Sequence, residues 1–203
     1  QSEYAAKDYL QSFQKISKNI DQAECIEDWY NIMDDLTDWS VNFDNLGDLG
    51  LGQLLDDQWI DANNRFAKFI EENYLVWLNE TDRPVMSPDV FPQFIQNSLE
   101  NNEKVVLIVM DCLRADQLKA VTGQLAQIFN LETEYYLSIL PTATPYSRNA
   151  IFSGYFPHEL QVKYPDLWPQ MWGNEKSMNQ FEEQFLNDYL NRNGLGSKSV
   201  HYK

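Results

Sequence analysis

Positive charge is scarce in this chain. Fifteen Lys and Arg residues stand against 31 Asp and Glu in 203 residues, a formal net charge of −16. The deficit is uneven: residues 1–100 hold 20 acidic and 6 basic residues, and residues 101–203 hold 11 and 9. The first half therefore repels duplex DNA and anionic membranes, so DNA binding through it is disfavoured. Solvated acidic helix faces account for such a balance. Cysteine is nearly absent. Cys25 and Cys112 are the only two, which excludes a disulfide framework and suits a reducing compartment. No apolar run approaches the roughly 20 residues that a membrane span requires, and no signal peptide is recognisable at the start. A soluble, cytoplasmic protein without membrane insertion is expected. The sequence also lacks a starting methionine and stops just after Lys198-Ser199-Val200-His201-Tyr202-Lys203, which reads as the start of a strand. These ends suggest a piece of a longer protein.

What is present is enough to pack. Hydrophobic residues make up 43% and aromatics 14%, well outside the disordered class. Residues 1–20 carry Tyr9, Phe13, Ile16 and Ile20 at helical spacing. Residues 22–46 repeat the stripe at Cys25, Trp29, Met33, Leu36, Trp39 and Phe43, and residues 54–79 do so at Phe66, Phe69, Ile70, Tyr74 and Trp77. Three such stripes predict a helical bundle. Gly47-Asp48-Leu49-Gly50-Leu51-Gly52 reads as a connecting loop; with no strand before it and no basic residue near, it is not a nucleotide fingerprint. Turn chemistry at Thr81–Pro84 and Ser87–Asp89 places a boundary there, dividing the chain into an acidic bundle, 1–84, and a second domain, 85–203.

The second domain opens with a helix near 89–101, for which Asp89 is a candidate N-cap. Lys104–Met110 is continuously apolar and flanked by charge, as buried parallel strands are. A helix over Arg114–Phe129 and a strand over Glu132–Leu140 complete a βαβ unit. A helix from about Pro145 to Phe152 follows, stopped at Ser153-Gly154. Tyr155–Gly173 is rich in Pro and aromatics and reads as an irregular loop. Ser177–Gln180 matches a capping box, opening a helix with Phe181, Phe185, Tyr189 and Leu190 that ends at Gly194. The fold class is thus a helical bundle followed by part of an α/β domain.

Chemistry concentrates between Lys104 and Gly154. Open α/β sheets build their sites at the carboxyl ends of strands. Asp111 stands at such a tip, able to bind a divalent cation or to cap the following helix. Thr144 precedes a helix. It is either a metal-activated nucleophile facing an anion at the helix N-terminus or a cap ahead of Pro145. Arg148, one turn later, is a charge clamp for the same anion or a surface cation. His158 has no partner at ligand spacing and reads as a structural hydrogen-bonder. Cys112, after a strand, is expected to be buried.

Two of these stretches resemble known enzymes. Met110–Leu118 is similar to the first metal motif of nucleotide pyrophosphatase/phosphodiesterases, Asp-Gly-x-Arg-x-x-Tyr-Leu, with Cys112 in place of the glycine. Pro141–Thr144, in phase with Ser153-Gly154-Tyr155-Phe156-Pro157, resembles their nucleophile motif. It also resembles the sulfatase pattern Cys-x-Pro-Ser-Arg, with Thr144 at the nucleophile. Tyr146–Gly154 resembles the PglZ signature Tyr-Ser-Arg-Asn-Ala-x-Phe-Ser-Gly, within the alkaline phosphatase superfamily. With an acidic bundle in front, the chain resembles the PorX-like family of response regulators of type IX secretion in Bacteroidetes. These place a phospho-receiver and a helical linker before a PglZ domain.

The resemblance implies a phosphodiesterase or phosphatase acting on a phosphoester or nucleotide through two Zn2+ ions. It makes Asp111 a metal ligand, Thr144 nucleophile and ligand, and Arg148 with Ser147 substrate contacts. Ser147 stands where phosphodiesterases place an oxyanion-binding Asn. It implies an upstream receiver domain, a homodimer, and secretion-system or transcription-regulatory partners. Superfamily sites also use later Asp and His ligands, whereas residues 159–203 offer only Asp166, Asp188 and His201 with no Asp-His pair. The chain by itself is expected to be inactive. The rival reading is a non-catalytic signalling module on the same fold.

Overall fold

The computed structural model describes the backbone of residues 2–46, 51–172 and 177–202, with side chains for residues 7–43, 51–172 and 177–202. Residues 47–50 of the expected glycine loop, and Gly173, lie outside them. Two compact units result: residues 1–83 with 112–133, and residues 84–111 with 134–203.

The first unit is built from the three predicted stripes. Helices α1 (Ser2–Gln22), α2 (Ile26–Leu46) and α3 (Gly52–Trp77) bury Tyr9, Ile16, Ile20, Trp29, Leu36 and Leu55. The expected α3 stripe, Phe66, Phe69, Ile70, Tyr74 and Trp77, is half-buried, and Cys25, expected in the second stripe, is exposed just before α2. Helix α2 starts where the Asp28 carboxylate accepts from the Glu24 and Cys25 amides at 2.9 and 3.1 Å. Those two hydrogen bonds hold the Asp28 carboxyl below the usual range. Tyr9 packs edge-on to Trp39 and Phe43 at 5.1 and 4.9 Å. Its hydroxyl donates to Gln58 Oε1 at 3.4 Å. The buried Gln58 amide in turn donates to the Phe13 carbonyl and to Ser17 Oγ, both at 3.0 Å. A fully engaged polar layer of this kind fixes the register of packed helices. Helix α5 (Ala115–Leu125) belongs to this unit. It lies on α2, where Lys119 Nζ pairs with Asp38 at 2.6 Å. The helix expected to close a βαβ crossover thus packs against helices.

The second unit differs more from expectation. Among the described residues no strand is formed; the single pairing is a parallel bridge between Met86 and Leu137. The Leu137 amide donates to the Val85 carbonyl at 2.8 Å, and the Ile139 amide to Ser87 Oγ at 3.1 Å. Lys104–Met110 has no ladder partner. Its outer side chains stand open, Val106 at 84%, Ile108 at 74% and Met110 at 62% exposure. Val109 packs on the core of the unit, and Val105 and Leu107 line a groove beside Phe91, Phe152 and Leu190. The period-2 alternation of an extended segment is present, but one apolar face is open and the other only partly covered, with Val105 and Leu107 still 38% and 41% exposed. Residues 198–202 form no strand either: 198 is a bend and 199–202 carry no regular structure.

The expected helix at 89–101 resolves into three pieces. A 3-10 turn, Ser87–Asp89, and a π turn, Phe91–Ile95, precede α4 (Gln96–Glu100). Asp89 acts three residues into the turn, accepting from the Met86 amide at 2.8 Å. The Thr144 helix appears as α6 (Thr144–Ser153) and ends at Gly154 in the left-handed region, φ 65°. A Cβ there would meet Arg192 Nη2 at 2.8 Å and the Tyr189 ring at 2.9 Å, so glycine is required on both counts.

Tyr155–Gly173 is not an irregular loop. Helix α7 (Pro157–Lys163) starts at a favoured Pro, with Glu159 accepting from the Phe156 amide at 2.8 Å, and a 3-10 turn runs Trp168–Trp172. Helix α8 begins at Glu182 and ends at Arg192, five residues beyond the proposed cap Ser177. Its buried Phe185, Tyr189 and Leu190 join Phe91, Phe152 and Leu160 in the core of the unit.

Candidate functional site

Asp111 and Thr144 are both freed from capping. The N-cap of α5 is Arg114, three residues past Asp111. The N-cap of α6 is Ala143, which has no side chain to cap with, so Thr144 is the first helical residue. No side chain caps α6, but Pro145 has no N–H and the Tyr146 and Ser147 amides donate to the Ala143 carbonyl at 2.9 and 3.1 Å, so what the helix of ten residues directs at Thr144 is its dipole.

Arg148 joins the two motifs. Its Nη1 donates to Asp111 Oδ2 at 3.1 Å and its Nη2 to Glu182 Oε2 at 2.7 Å. The two carboxylates differ in setting: the Asp111 side chain is 48% exposed, that of Glu182 only 1%. Burial opposes the charge on Arg148, but Glu182 and then Asp111 outweigh it and hold the guanidinium above its ordinary range. Its Nε is buried and has no hydrogen-bond partner among the described residues. Glu182 accepts two more bonds, from Asn179 Nδ2 and from Tyr202 Oη, each at 2.5 Å. Burial first, and then Glu182, push the Tyr202 phenol up to about 12. Asn149, next on α6, is fully buried and donates to the Pro145 and Met178 carbonyls at 2.7 and 2.9 Å.

The other candidates are less engaged with the site. Ser147 Oγ donates back to the Ala143 and Thr142 carbonyls at 3.3 and 3.4 Å, so its proton is used by the preceding turn. His158 is exposed and stacks on Phe156 at 6.1 Å. Cys112 is exposed, against expectation, and adopts φ 58°. That is the left-handed region, where glycine is favoured and other residues are strained. It gives a physical reason for the glycine of the related motif and for the chain leaving Asp111 in a sharp turn. Glu182, Asn179 and Tyr202 were not foreseen. Glu182 opens its helix beside Glu183 and looks in sequence like an ordinary first-turn acid.

Among the described residues, no three His, Cys, Asp or Glu side chains gather as a metal site. Asp111 and Thr144 would offer two oxygens, fewer than the four donors zinc takes, and the Asp111 oxygen faces a guanidinium. The described residues therefore do not complete a zinc centre. What they assemble is a threonine at a helix N-terminus and an arginine one turn on, held between two carboxylates. No described helix is long and apolar enough to cross a membrane.

Two family models match the chain in order. That of the PorX response regulator linker domain matches residues 1–78. That of the BREX system PglZ alkaline phosphatase-like domain matches residues 90–203. No curated protein matches.

Proposed function

Because the chain belongs to the PglZ alkaline phosphatase-like family and carries a PorX response regulator linker ahead of that domain, we propose that it is part of a two-component regulator of type IX secretion whose output domain hydrolyses phosphodiesters or nucleotides. The observation that carries this reading is the ion pair from Arg148 to Asp111 at 3.1 Å. It brings the carboxylate of the first motif to the helix that Thr144 opens. An anionic substrate is favoured there by the dipole of α6, and by the guanidinium when its bond to Asp111 is exchanged for the anion.

In this mechanism Thr144 Oγ attacks phosphorus in line, its proton passes to solvent, and the leaving alkoxide or phenoxide departs as its bond to phosphorus breaks. A diester substrate leaves Thr144 esterified to a phosphoryl group that still carries its second ester arm; water then cleaves the bond from Thr144 Oγ to phosphorus, returning a proton to Oγ and releasing a phosphate monoester. Arg148 binds the phosphoryl oxygens and the dipole of α6 favours them, as their charge grows in the transition state. A threonine hydroxyl is a weak nucleophile without activation. The two zinc ions expected for the intact domain need ligands beyond Asp111 and Thr144, and residues outside those described would supply them. Further strands would likewise cover Lys104–Met110 and complete the α/β sheet. The bundle would couple an upstream receiver to dimerisation or to access to the site, in the cytoplasm.

A second reading is a non-catalytic signalling platform. It is favoured by Arg148 already neutralising Asp111. Turnover of a nitrophenyl phosphodiester by the intact, zinc-supplemented regulator separates the two. The catalytic reading expects turnover that Thr144→Ala abolishes, and none from residues 1–203 alone. An intact protein that stays silent would leave the platform.

A further inference from the structure

A carboxylate removed from water costs several kcal/mol unless it is fully paired, so the burial of Glu182 calls for an explanation. The side chain is 1% exposed and receives three donors, from Arg148, Asn179 and Tyr202. Its position at the start of α8 adds a favourable dipole. We propose that Glu182 is a positioning residue for Arg148, holding the guanidinium in place while its other end exchanges Asp111 for a phosphoryl oxygen of the substrate. This rests on the reading of Arg148 as a phosphoryl contact.

The asymmetry of the two pairs is the basis. Nη2 is tied to a buried acceptor at 2.7 Å, whereas Nη1 meets a carboxylate that is 48% exposed, at 3.1 Å. The exposed bond is the one that water and ligands can replace at little cost; the buried one is not. When an anion takes Nη1, the Glu182 bond keeps the guanidinium from swinging into solvent. The side-chain entropy of arginine is then lost on folding instead of on binding, which preorganises the site. Asn179 and Tyr202 hold the Glu182 carboxylate in turn, from the turn that precedes α8 and from the segment that follows it.

Two readouts test this. In residues 1–203 labelled with 15N, the terminal nitrogens of Arg148 should give resolved resonances, because both are pinned. Glu182→Gln offers one acceptor to three donors, so these resonances should merge. If that variant loses its helical circular dichroism, the unmodified chain still decides, by a coupling through the hydrogen bond between Arg148 Nη2 and the Glu182 carboxylate. Its absence would overturn the proposal. In the intact regulator, Glu182→Gln should lower kcat/KM for a nitrophenyl phosphodiester roughly ten- to a hundredfold, the worth of one charge-assisted bond, with kcat falling as well because Arg148 holds oxygens whose charge grows in the transition state. Merged resonances with an unaltered kcat/KM would also overturn it. An intact wild type without turnover would count against the catalytic reading alone, since the resonances report on Arg148 independently.

Discussion

Replacing Arg148 by methionine keeps much of the side chain's length and removes the charge. Glu182 would then remain 1% exposed with Asn179 and Tyr202 as its donors and no cation. Breaking a buried pair from one side costs about 3–5 kcal/mol. The lost pair with Asp111, half exposed, adds at most about 1 kcal/mol. Two surviving hydrogen bonds to Glu182 place the total near the low end, about 3 kcal/mol. Glu182→Gln made together with Arg148→Met removes the stranded charge and should recover about 2 kcal/mol of that loss. Urea unfolding followed by circular dichroism measures the cycle. Exchange of the Ala150–Ser153 amides in α6 reports on the second unit separately. A single-variant cost under 1 kcal/mol, or additive effects in the double variant, would refute the view of this pair as a buried, coupled anchor.

Three other outcomes follow from the same structure. Tyr9 and Tyr164 are each pushed up to about 12 by burial, and next by Asp56 and Asp188 respectively, from the ordinary phenol value of 10.0. Stability is therefore whole below pH 10 and falls as pH rises towards 12, because the unfolded phenols ionise first. For the fully buried Tyr9 the loss is on the order of 2 kcal/mol, and Tyr9→Phe should flatten an alkaline unfolding curve accordingly. Cys112→Gly should raise stability by about 1 kcal/mol in urea unfolding, since φ 58° strains cysteine and suits glycine. Phe185→Ala should cost about 3–5 kcal/mol by the same method, because its ring is fully buried against Tyr164 at 4.9 Å.

The parts of the fold that were legible are those set by local pattern. Helices α1 to α3 follow from apolar spacing, and α6 from Pro145 at its start and Gly154 at its end. Helix α7 was hidden because its seven residues are too short for a periodic stripe, while Pro and aromatics nearby mimic a loop. Lys104–Met110 carries a two-sided apolar pattern, but pairing and burial depend on neighbouring strands that sequence does not place. In the site, Asp111, Thr144 and Arg148 were each visible as candidates. Their convergence was not, since Asp111 and Arg148 are brought together over 37 residues. Glu182 was invisible because its burial comes from Arg148, Asn179 and Tyr202, none of which is signalled by its neighbours in sequence.

The central claim is that Thr144 takes the phosphoryl group. It is tested most directly by quenching the intact, zinc-supplemented regulator with acid during turnover of bis(nitrophenyl) phosphate and mapping the adduct by mass spectrometry. The account predicts a nitrophenyl phosphoryl group on the peptide that begins α6, at Thr144, and none in Thr144→Ala. Turnover with an unmodified Thr144 peptide under the same quench, or undiminished turnover in Thr144→Ala, would contradict it.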